Sequence, residues 1–462
     1  MRFIRDSLFG LSLGALSSLA FAPVSLWIAP FVSLFVLYEA LIRSSRVSRI
    51  RLSYFFGAGL LLLVQNWTGI YVGNTPYLAL ALMQAIFFLP LALVGRKSNL
   101  SNALIYGSAL VFSELLMRTI PFTGFGWSRF GFTQVDSPLA SLYPLIGAAG
   151  VAFLIALISA LRKINYLVVV LLILVSANFV PTELKNLGKL EVALVQGGVP
   201  QLGLDFNSTP LAVYQNHYKE SKSKLVANRV DLVVWPENSV DIDLFKNPAI
   251  EMEISNLSQT LNAPFLVGGI SRFSGDLQNI AVFFNPAIEQ TYAKRYLTPF
   301  GEYIPLRSFF SKFSPYVTDV VDFSAGTKKV TFNIDGISFE SLICYELIND
   351  VFRDDLSSNF LVVQTNNATF GDTHQLVQQL NIARVRALET GREIAYVSTT
   401  GITSFIGADG YIRSSIPKFQ GGVLIDSISL YEGQTLIQKM KFYPEIGALF
   451  LLLLITIRRV RS

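Results

Sequence analysis

Cys344, in SLICYELIND, is the only cysteine of the 462-residue chain, and it follows a short apolar run. Two other reactive side chains occupy comparable places: Glu237 follows VVW in VDLVVWPEN, and Lys294 lies in TYAKRYLTPFGEYIPL. Acyl transfer through a thiol needs a thiolate nucleophile, a base for its proton, and a positive group where the tetrahedral oxygen develops charge. One residue of each type is present. A thiol with a pKa of about 8.5 is mostly protonated near neutrality, so a neighbouring base or cation decides its reactivity. Each residue also has an inert reading, since a cysteine can end a buried strand, a glutamate after proline can cap a turn, and a lysine can be solvated. Their joint placement at strand ends favours chemistry. With one cysteine, no intrachain disulfide can form.

The elements around these residues read as a soluble α/β domain. LEVALVQGG, VDLVVWPEN, APFLVGGIS, LQNIAVFFNP, NFLVVQTNN and EIAYVSTTGITSFIGADG are strand-like runs ending in turn residues. KKVTFNIDGISFESLICYE predicts a hairpin turned at Asp335 and Gly336, where a DG pair supplies positive φ. DTHQLVQQLNIARVRALETGRE predicts a helix stopped at Gly391.

The rest of the chain is membrane-like. A mean hydropathy of +0.47, with 52% hydrophobic and 15% charged residues, lies outside the range of ordinary soluble proteins. Eight stretches approach the roughly 20 helical residues needed to span hydrocarbon. They fall near 7–23, 25–42, 53–71, 76–95, 101–117, 139–161, 164–181 and 443–457. Arg2 and Arg5 before the first apolar run, followed by SLAFAP, could suggest a cleaved signal sequence, but the spans that follow directly favour a retained helix. The organisation expected is a seven-helix transmembrane region over 1–181, a globular domain over 182–442, and a closing helix with a basic tail over 443–462.

Alternating short loops hold Arg2 and Arg5; Arg43, Arg46, Arg49 and Arg51; Arg96 and Lys97; Arg162 and Lys163; and Arg458, Arg459 and Arg461. The opposite loops hold only Arg118 and Arg129, so both termini are expected on the cytoplasmic side and the globular domain outside. The net charge of +5 is largely this topology signal, which argues against a nucleic-acid partner.

WPEN, KRYLTPFGEYIPL and CYE occur in the order and approximate spacing of the Glu, Lys and Cys triad of the nitrilase superfamily, and the globular domain resembles that superfamily. Set between membrane spans, and with PFGEYIPL and FTGFGWSRFGFTQ, almost the whole chain resembles the apolipoprotein N-acyltransferase family. The resemblance implies an α-helical bundle of about eight transmembrane helices plus a nitrilase-like α/β domain, a four-layer αββα sandwich. It implies Glu237 as general base, Lys294 as oxyanion-stabilising cation and Cys344 as nucleophile, supported by Glu302, Tyr345 and Glu346. It further implies an acyl chain taken from a membrane phospholipid as a cysteine thioester and passed to the N-terminal amine of a diacylglyceryl-cysteine apolipoprotein. No metal or organic cofactor is implied, and the expected location is the bacterial inner membrane. The sequence departs from the family pattern at Asp205 and Phe206, where a tryptophan is usual nearby, and at Asn367 and Thr369, where aspartate and tryptophan are common.

IPFTGFGWSRFGF and PLRSFFSKFSPYV mix aromatics with a few cations as interfacial segments do, which makes Trp127, Phe309 and Phe310 candidate lipid contacts, or packing residues of their loops. His217 and His374 lie in no metal-ligand pattern. Arg384, Arg386 and Glu389 share one helix and are expected to orient the core or a dimer surface. A membrane-tethered amidase that discharges the same thioester to water is the alternative enzyme reading. A transporter would place ionisable residues within several spans, and Glu114, near Arg118, is the main such case.

Overall fold

The computed structural model describes residues 2–461 except 71–72, 178, 181–182, 204, 274 and 313–320. The expected spans reaching 71 and 181 therefore end outside the described residues. The chain forms two compact units, one of residues 1–182 with 435–462 and the other of residues 183–434.

The first unit is helical. It contains α1 (Arg2–Ser18), α2 (Ala29–Arg43), α3 (Arg46–Val64), α4 (Asn74–Ala85), α5 (Leu100–Thr119), α6 (Tyr143–Ala160) and α7 (Ile164–Ala177). Pro90 lies in the 3₁₀ continuation of α4 over Ile86–Leu93. Among the described residues, Arg46–Val64, Asn74–Leu93, Leu100–Thr119 and Pro138–Ala160 are long and apolar enough to cross a membrane. Helices also lie near the other expected spans, but α1, α2 and α7 are shorter, and α1 runs over Arg2–Ser18 rather than 7–23. α1 packs on α3 through Gly10 and Gly14, and a Cβ on Gly14 would lie 2.1 Å from the Phe56 carbonyl oxygen. A side chain there would push the helices apart, the close approach that GxxxG spacing permits.

Several buried polar groups in this unit are paired. Glu114 accepts from the Phe130 N–H at 2.6 Å and pairs with Arg129 at 3.4 Å, whereas Arg118, its neighbour in sequence, reaches Glu445 at 2.7 Å. Gln65 donates to Gln84 at 2.7 Å and to Ser128 at 3.1 Å. The loop carrying Trp127 is thereby pinned into the unit.

The second unit holds two sheets. The first contains β1 (Lys185–Gln196), β2 (Leu232–Val234), β3 (Val240–Asp243), β4 (Phe265–Phe273), β5 (Asp276–Phe284) and β6 (Ile288–Ala293), with helices α8 (Ala212–Lys224) and α9 (Pro248–Leu261). After the short helix α10 (Arg307–Phe310) come β7 (Phe332–Ile334), β8 (Ile337–Ile343), α11 (Val351–Asp355), β9 (Phe360–Thr365), α12 (Gln375–Thr390), β10 (Ile394–Ser398), β11 (Thr403–Ile406), β12 (Ile412–Ile416) and β13 (Gly422–Glu432). The strand orders are β13-β1-β2-β4-β5-β6, with β3 beside β4, and β12-β11-β10-β9-β8-β7. The chain then re-enters the first unit through α13 (Leu436–Met440) and α14 (Tyr443–Arg461).

Period-two alternation explains why the strands read as continuous apolar runs. Val192, Leu194, Leu232, Val234, Leu266 and Phe283 point into a core shared with Phe339, Ile343, Phe360 and Val397 of the second sheet. Their neighbours Ala193, Val195, Val233, Phe265 and Val282 point instead to a core with Ile254, Leu257 and Leu261 of α9. Strands covered on both faces need apolar residues on both faces. With α11 and α12 on the second sheet, the layers are α, β, β and α, as expected. The hairpin turns at Asp335 (φ +48°) and Gly336 (φ +89°), and α12 stops at Gly391 (φ +59°), where the sequence predicts each.

His217 on α8 is fully buried, its Nδ1 2.8 Å from the Val213 carbonyl oxygen, and burial pushes its pKa down to about 4. The unfolded side chain titrates near 6.5. Between those values the unfolded chain binds more protons, so the stability contribution is full above about pH 6.5 and falls as pH drops toward about 4. His217→Leu is expected to flatten this acid limb by up to roughly 3 kcal/mol. Urea unfolding of both proteins across that window checks it, and parallel pH profiles would refute it. His374 is exposed just before α12.

Candidate active site

The parallel pairing β1-β2-β4 and β8-β9-β10 brings the carboxyl ends of strands from both sheets together. Open α/β sheets bind ligands at such ends, where loops diverge and leave a crevice. Glu237 follows β2, Lys294 follows β6, Cys344 follows β8 and Asn366 follows β9. Gln364 ties the two sheets beneath them, donating to the Trp235 carbonyl at 2.7 Å and accepting from Ser341 at 2.7 Å. Gly268 on β4 lets that strand pass close to Glu237, for a Cβ there would lie 2.7 Å from the Glu237 Cα.

Cys344 takes a left-handed backbone conformation (φ +52°) between β8 and the 3₁₀ turn Cys344–Ile348. This costs a non-glycine residue on the order of 1–2 kcal/mol, so the surroundings must hold it. Glu346 does much of that holding. One carboxylate oxygen accepts from the Ile343 N–H at 2.8 Å; the other accepts from Tyr292 Oη at 2.7 Å and from the Arg295 and Tyr296 N–H groups at 2.8 and 3.2 Å. One buried side chain therefore ties the cysteine turn to the segment after Lys294. From the other side, Arg386 donates to the Leu347 carbonyl at 2.7 Å and pairs with Asp350 at 2.7 Å and Glu389 at 2.5 Å. Arg386 and Glu389 thus orient the core, while Arg384 is half-buried and donates to the Gly410 carbonyl at 2.8 Å.

Lys294 is 1% exposed and lies between two carboxylates, 2.8 Å from Glu302 and 3.5 Å from Glu237. Burial alone would lower its pKa, but Glu302 and then Glu237 outweigh this and hold the ammonium above its ordinary range. Asn279 bridges the carboxylates, donating to Glu237 at 2.7 Å and Glu302 at 3.0 Å. The two differ in consequence. For Glu302, burial is overcome by Lys294, its hydrogen bonds and the Thr298 N–H at 2.8 Å, so its pKa lies low. For Glu237, burial and the charge of Glu302 outweigh the more distant Lys294, so its pKa lies high. Unequal environments of this kind separate a permanent counter-ion from a carboxylate that can exchange a proton. Burial and then the Glu237 charge also push the Cys344 thiol up, against Lys294 and a hydrogen bond from Gln379.

Two family profiles match the chain: "Apolipoprotein N-acyltransferase N-terminal domain" over residues 13–161 and "Carbon-nitrogen hydrolase" over residues 191–438. The apolipoprotein N-acyltransferase of Mycolicibacterium smegmatis is 31% identical, with 89% of this chain and 78% of that protein covered. That of Azotobacter vinelandii is 30% identical, with 97% and 94% covered. The chain belongs to the apolipoprotein N-acyltransferase family. A carbon-nitrogen hydrolase superfamily protein of Xanthomonas campestris matches 57% of the chain and 97% of its own, at 16% identity and a TM-score of 0.40.

In this acyltransferase-family chain, Glu237, Lys294, Glu302, Cys344, Tyr345 and Glu346 come together in one cluster, buried except for the half-buried Glu302. Tyr345 is buried, with Tyr303, Lys294 and Glu302 acting on its phenol. Trp127 belongs to the first unit, where it is 3% exposed and packs against Trp67 and Phe125, with ring centroids 5.0 and 6.1 Å away. The side chains of Phe309 and Phe310 lie outside the described residues, although their backbone forms α10. Of the departures, Asp205 is exposed, Phe206 packs with Val213 and Ala368, and Thr369 is half-buried. Asn367 is buried and hydrogen-bonded to Gln375 and Gln379. The polar residues that sequence reasoning missed are Asn279, Asn366, whose N–H donates to Glu237 at 2.7 Å, and Gln379, 3.4 Å from the Cys344 Sγ. All three act as amide donors, and only the NN turn after LVVQT gave a local hint.

Proposed function

We propose that this protein N-acylates apolipoproteins, taking an acyl chain from a membrane phospholipid through a thioester on Cys344. The observation that carries this reading is one ammonium shared unequally between two carboxylates, Glu237 buried and Glu302 half-buried, beside the only thiol. Glu237 takes the thiol proton as sulfur attacks the ester carbonyl, and Lys294 faces the oxygen that becomes negative. The ester C–O bond breaks, the lysophospholipid hydroxyl leaves with the proton held by Glu237, and the thioester remains. The N-terminal amine of a diacylglyceryl-cysteine protein then attacks; its proton passes through Glu237 to sulfur, and an amide and the free thiol result.

Membership of the family and the four apolar helices support a membrane-embedded enzyme. The basic residues of alternate loops favour a multi-pass arrangement with both termini cytoplasmic and residues 182–442 on the outer side, where both lipid substrates are reached. Purified protein in detergent, given phospholipid with a labelled acyl chain, is expected to form a hydroxylamine-sensitive adduct that moves to the amine of an added diacylated lipopeptide. Release only as free fatty acid would identify an amidase instead.

The carboxylate assignment has its own test. In Glu302→Gln, Lys294 has only Glu237 as its anion, so the Glu237 pKa falls. The acid limb of the transfer rate then moves to lower pH, and the plateau drops by about tenfold because the base is weaker. An acid limb that stays in place would mean that Glu237 is not the titrating base.

A further inference from the structure

The immediate partner of the Cys344 sulfur that the reaction above leaves unused is an uncharged amide. Gln379 lies one turn into α12 and is fully buried, its Nε2 3.4 Å from Sγ. Which end of a glutamine amide faces a neighbour is decided by its other hydrogen bonds. Here Oε1 of Gln379 accepts from Asn367 Nδ2 at 2.8 Å and from Gln375 Nε2 at 3.2 Å, so the NH₂ end is left for sulfur.

Asn367 is oriented in turn by two hydroxyls. Its Oδ1 accepts from Ser398 Oγ at 2.6 Å and Thr365 Oγ1 at 3.0 Å, while its Nδ2 also donates to Gln375 Oε1 at 2.8 Å. All five residues are buried to within 1% exposure or less. The result is a row of neutral dipoles, hydroxyls to Asn367 to Gln379 to sulfur, each donor reinforcing the next, with the positive end at the thiol.

We propose that Gln379 is a further catalytic residue of this site, the neutral donor that stabilises the Cys344 thiolate, and that Asn367 is the positioning residue that fixes which end of its amide meets sulfur. The inference rests on the reading of Cys344 as nucleophile. Its physical sense is that the site already holds Lys294 against Glu237 and Glu302, so a second cation would draw Glu237 away from its role as base. An amide stabilises sulfur anion without changing that balance. It also acts unequally along the reaction, since a thiolate accepts a hydrogen bond far better than a thioester sulfur does. Expulsion of the thiolate by the attacking amine, the second half-reaction, gains most.

The titratable groups acting on the thiol are Glu237, Lys294, Glu302 and Tyr396 of β10, so a pH profile must be read against variants that leave these in place. Because Cys344 is the only cysteine, alkylation of the full chain by iodoacetamide reports this one thiol. In detergent micelles, Gln379→Leu is expected to move the pH midpoint of alkylation up by about one unit and to slow alkylation below it by about tenfold. Gln379→Glu, of the same shape, moves it further by adding a like charge. Asn367→Leu, which cannot donate to Gln379 and adds no charge, moves it in the same direction as Gln379→Leu, and the double variant moves it no further than Gln379→Leu alone. With labelled phospholipid and lipopeptide, Gln379→Leu accumulates thioester because its discharge slows more than its formation. Should Gln379→Leu fail to fold, Gln379→Met, which also removes the donor without adding charge, carries the test. Midpoints that coincide with wild type in every folded variant overturn the proposal. If the midpoints move but no phospholipid acyl group reaches Cys344, the donor stands and the function proposed above falls; the reverse pattern removes the donor alone.

Discussion

Cys344→Ala is expected to lose labelled-adduct formation and to lower lipopeptide acylation by roughly 10⁴- to 10⁶-fold, because the covalent route closes and no second thiol exists. Cys344→Ser is expected to remain close to that floor. Its hydroxyl is a much weaker acid than a thiol, and the buried pocket raises the cost of the anion further. The φ of +52° separates loss of chemistry from loss of fold. Alanine keeps a Cβ in the left-handed region, whereas glycine adopts it freely, so Cys344→Gly is expected to be equally inactive but about 1 kcal/mol more stable than Cys344→Ala. Hydroxylamine-sensitive labelling of Cys344→Ala at the wild-type level would remove the thioester from the mechanism.

Lys294→Met is expected to damage both rate and fold. The rate should fall by about 10²- to 10⁴-fold, the loss of one preorganised charge at the oxyanion together with a disturbed base. Stability should fall by several kcal/mol, because Glu237 and Glu302 then face each other across Asn279 without their shared cation. The pH dependence gives the sign. In wild type the Glu302 pKa is lowered, so its contribution is present above its unfolded value and lost as pH falls through the folded value. In the variant both carboxylates have raised folded values, and their contribution is present at acid pH and lost as pH rises through those values. The stability gap between the two proteins should therefore be smaller near about pH 5 than near about pH 8. Thermal unfolding in detergent at both conditions checks this; a gap that does not change with pH would show that Lys294 is not the counter-ion of the pair.

The part of the site legible in the sequence is its charged and nucleophilic side chains. Glu237, Lys294 and Cys344 are rare residue types at strand ends, and each carries a short signature around it. Glu302 was legible as an important glutamate, but its division of labour with Glu237 was not, since that depends on 2.8 Å against 3.5 Å to a single nitrogen. Glu346 likewise reads as a neighbour of the cysteine, yet its partners Tyr292, Arg295 and Tyr296 lie 50 or more residues away. Asn367 reads as a departure from a family pattern. In the fold its amide has both donor and acceptor ends occupied, a function a carboxylate cannot fill.

Local backbone demands were equally legible. The DG hairpin and the Gly391 helix stop follow from positive φ at those positions, and the doubly buried strands follow from their unbroken apolar composition. The kinds of elements, the candidate reactive residues and the family resemblance were readable without the fold, because these depend on residue chemistry and short-range geometry. Long-range contacts set which carboxylate lies closer to Lys294, which donor meets the sulfur and how Cys344 is held at φ +52°. Those properties arise where the ends of strands from two sheets converge, and burial there makes differences of less than an ångström decide protonation.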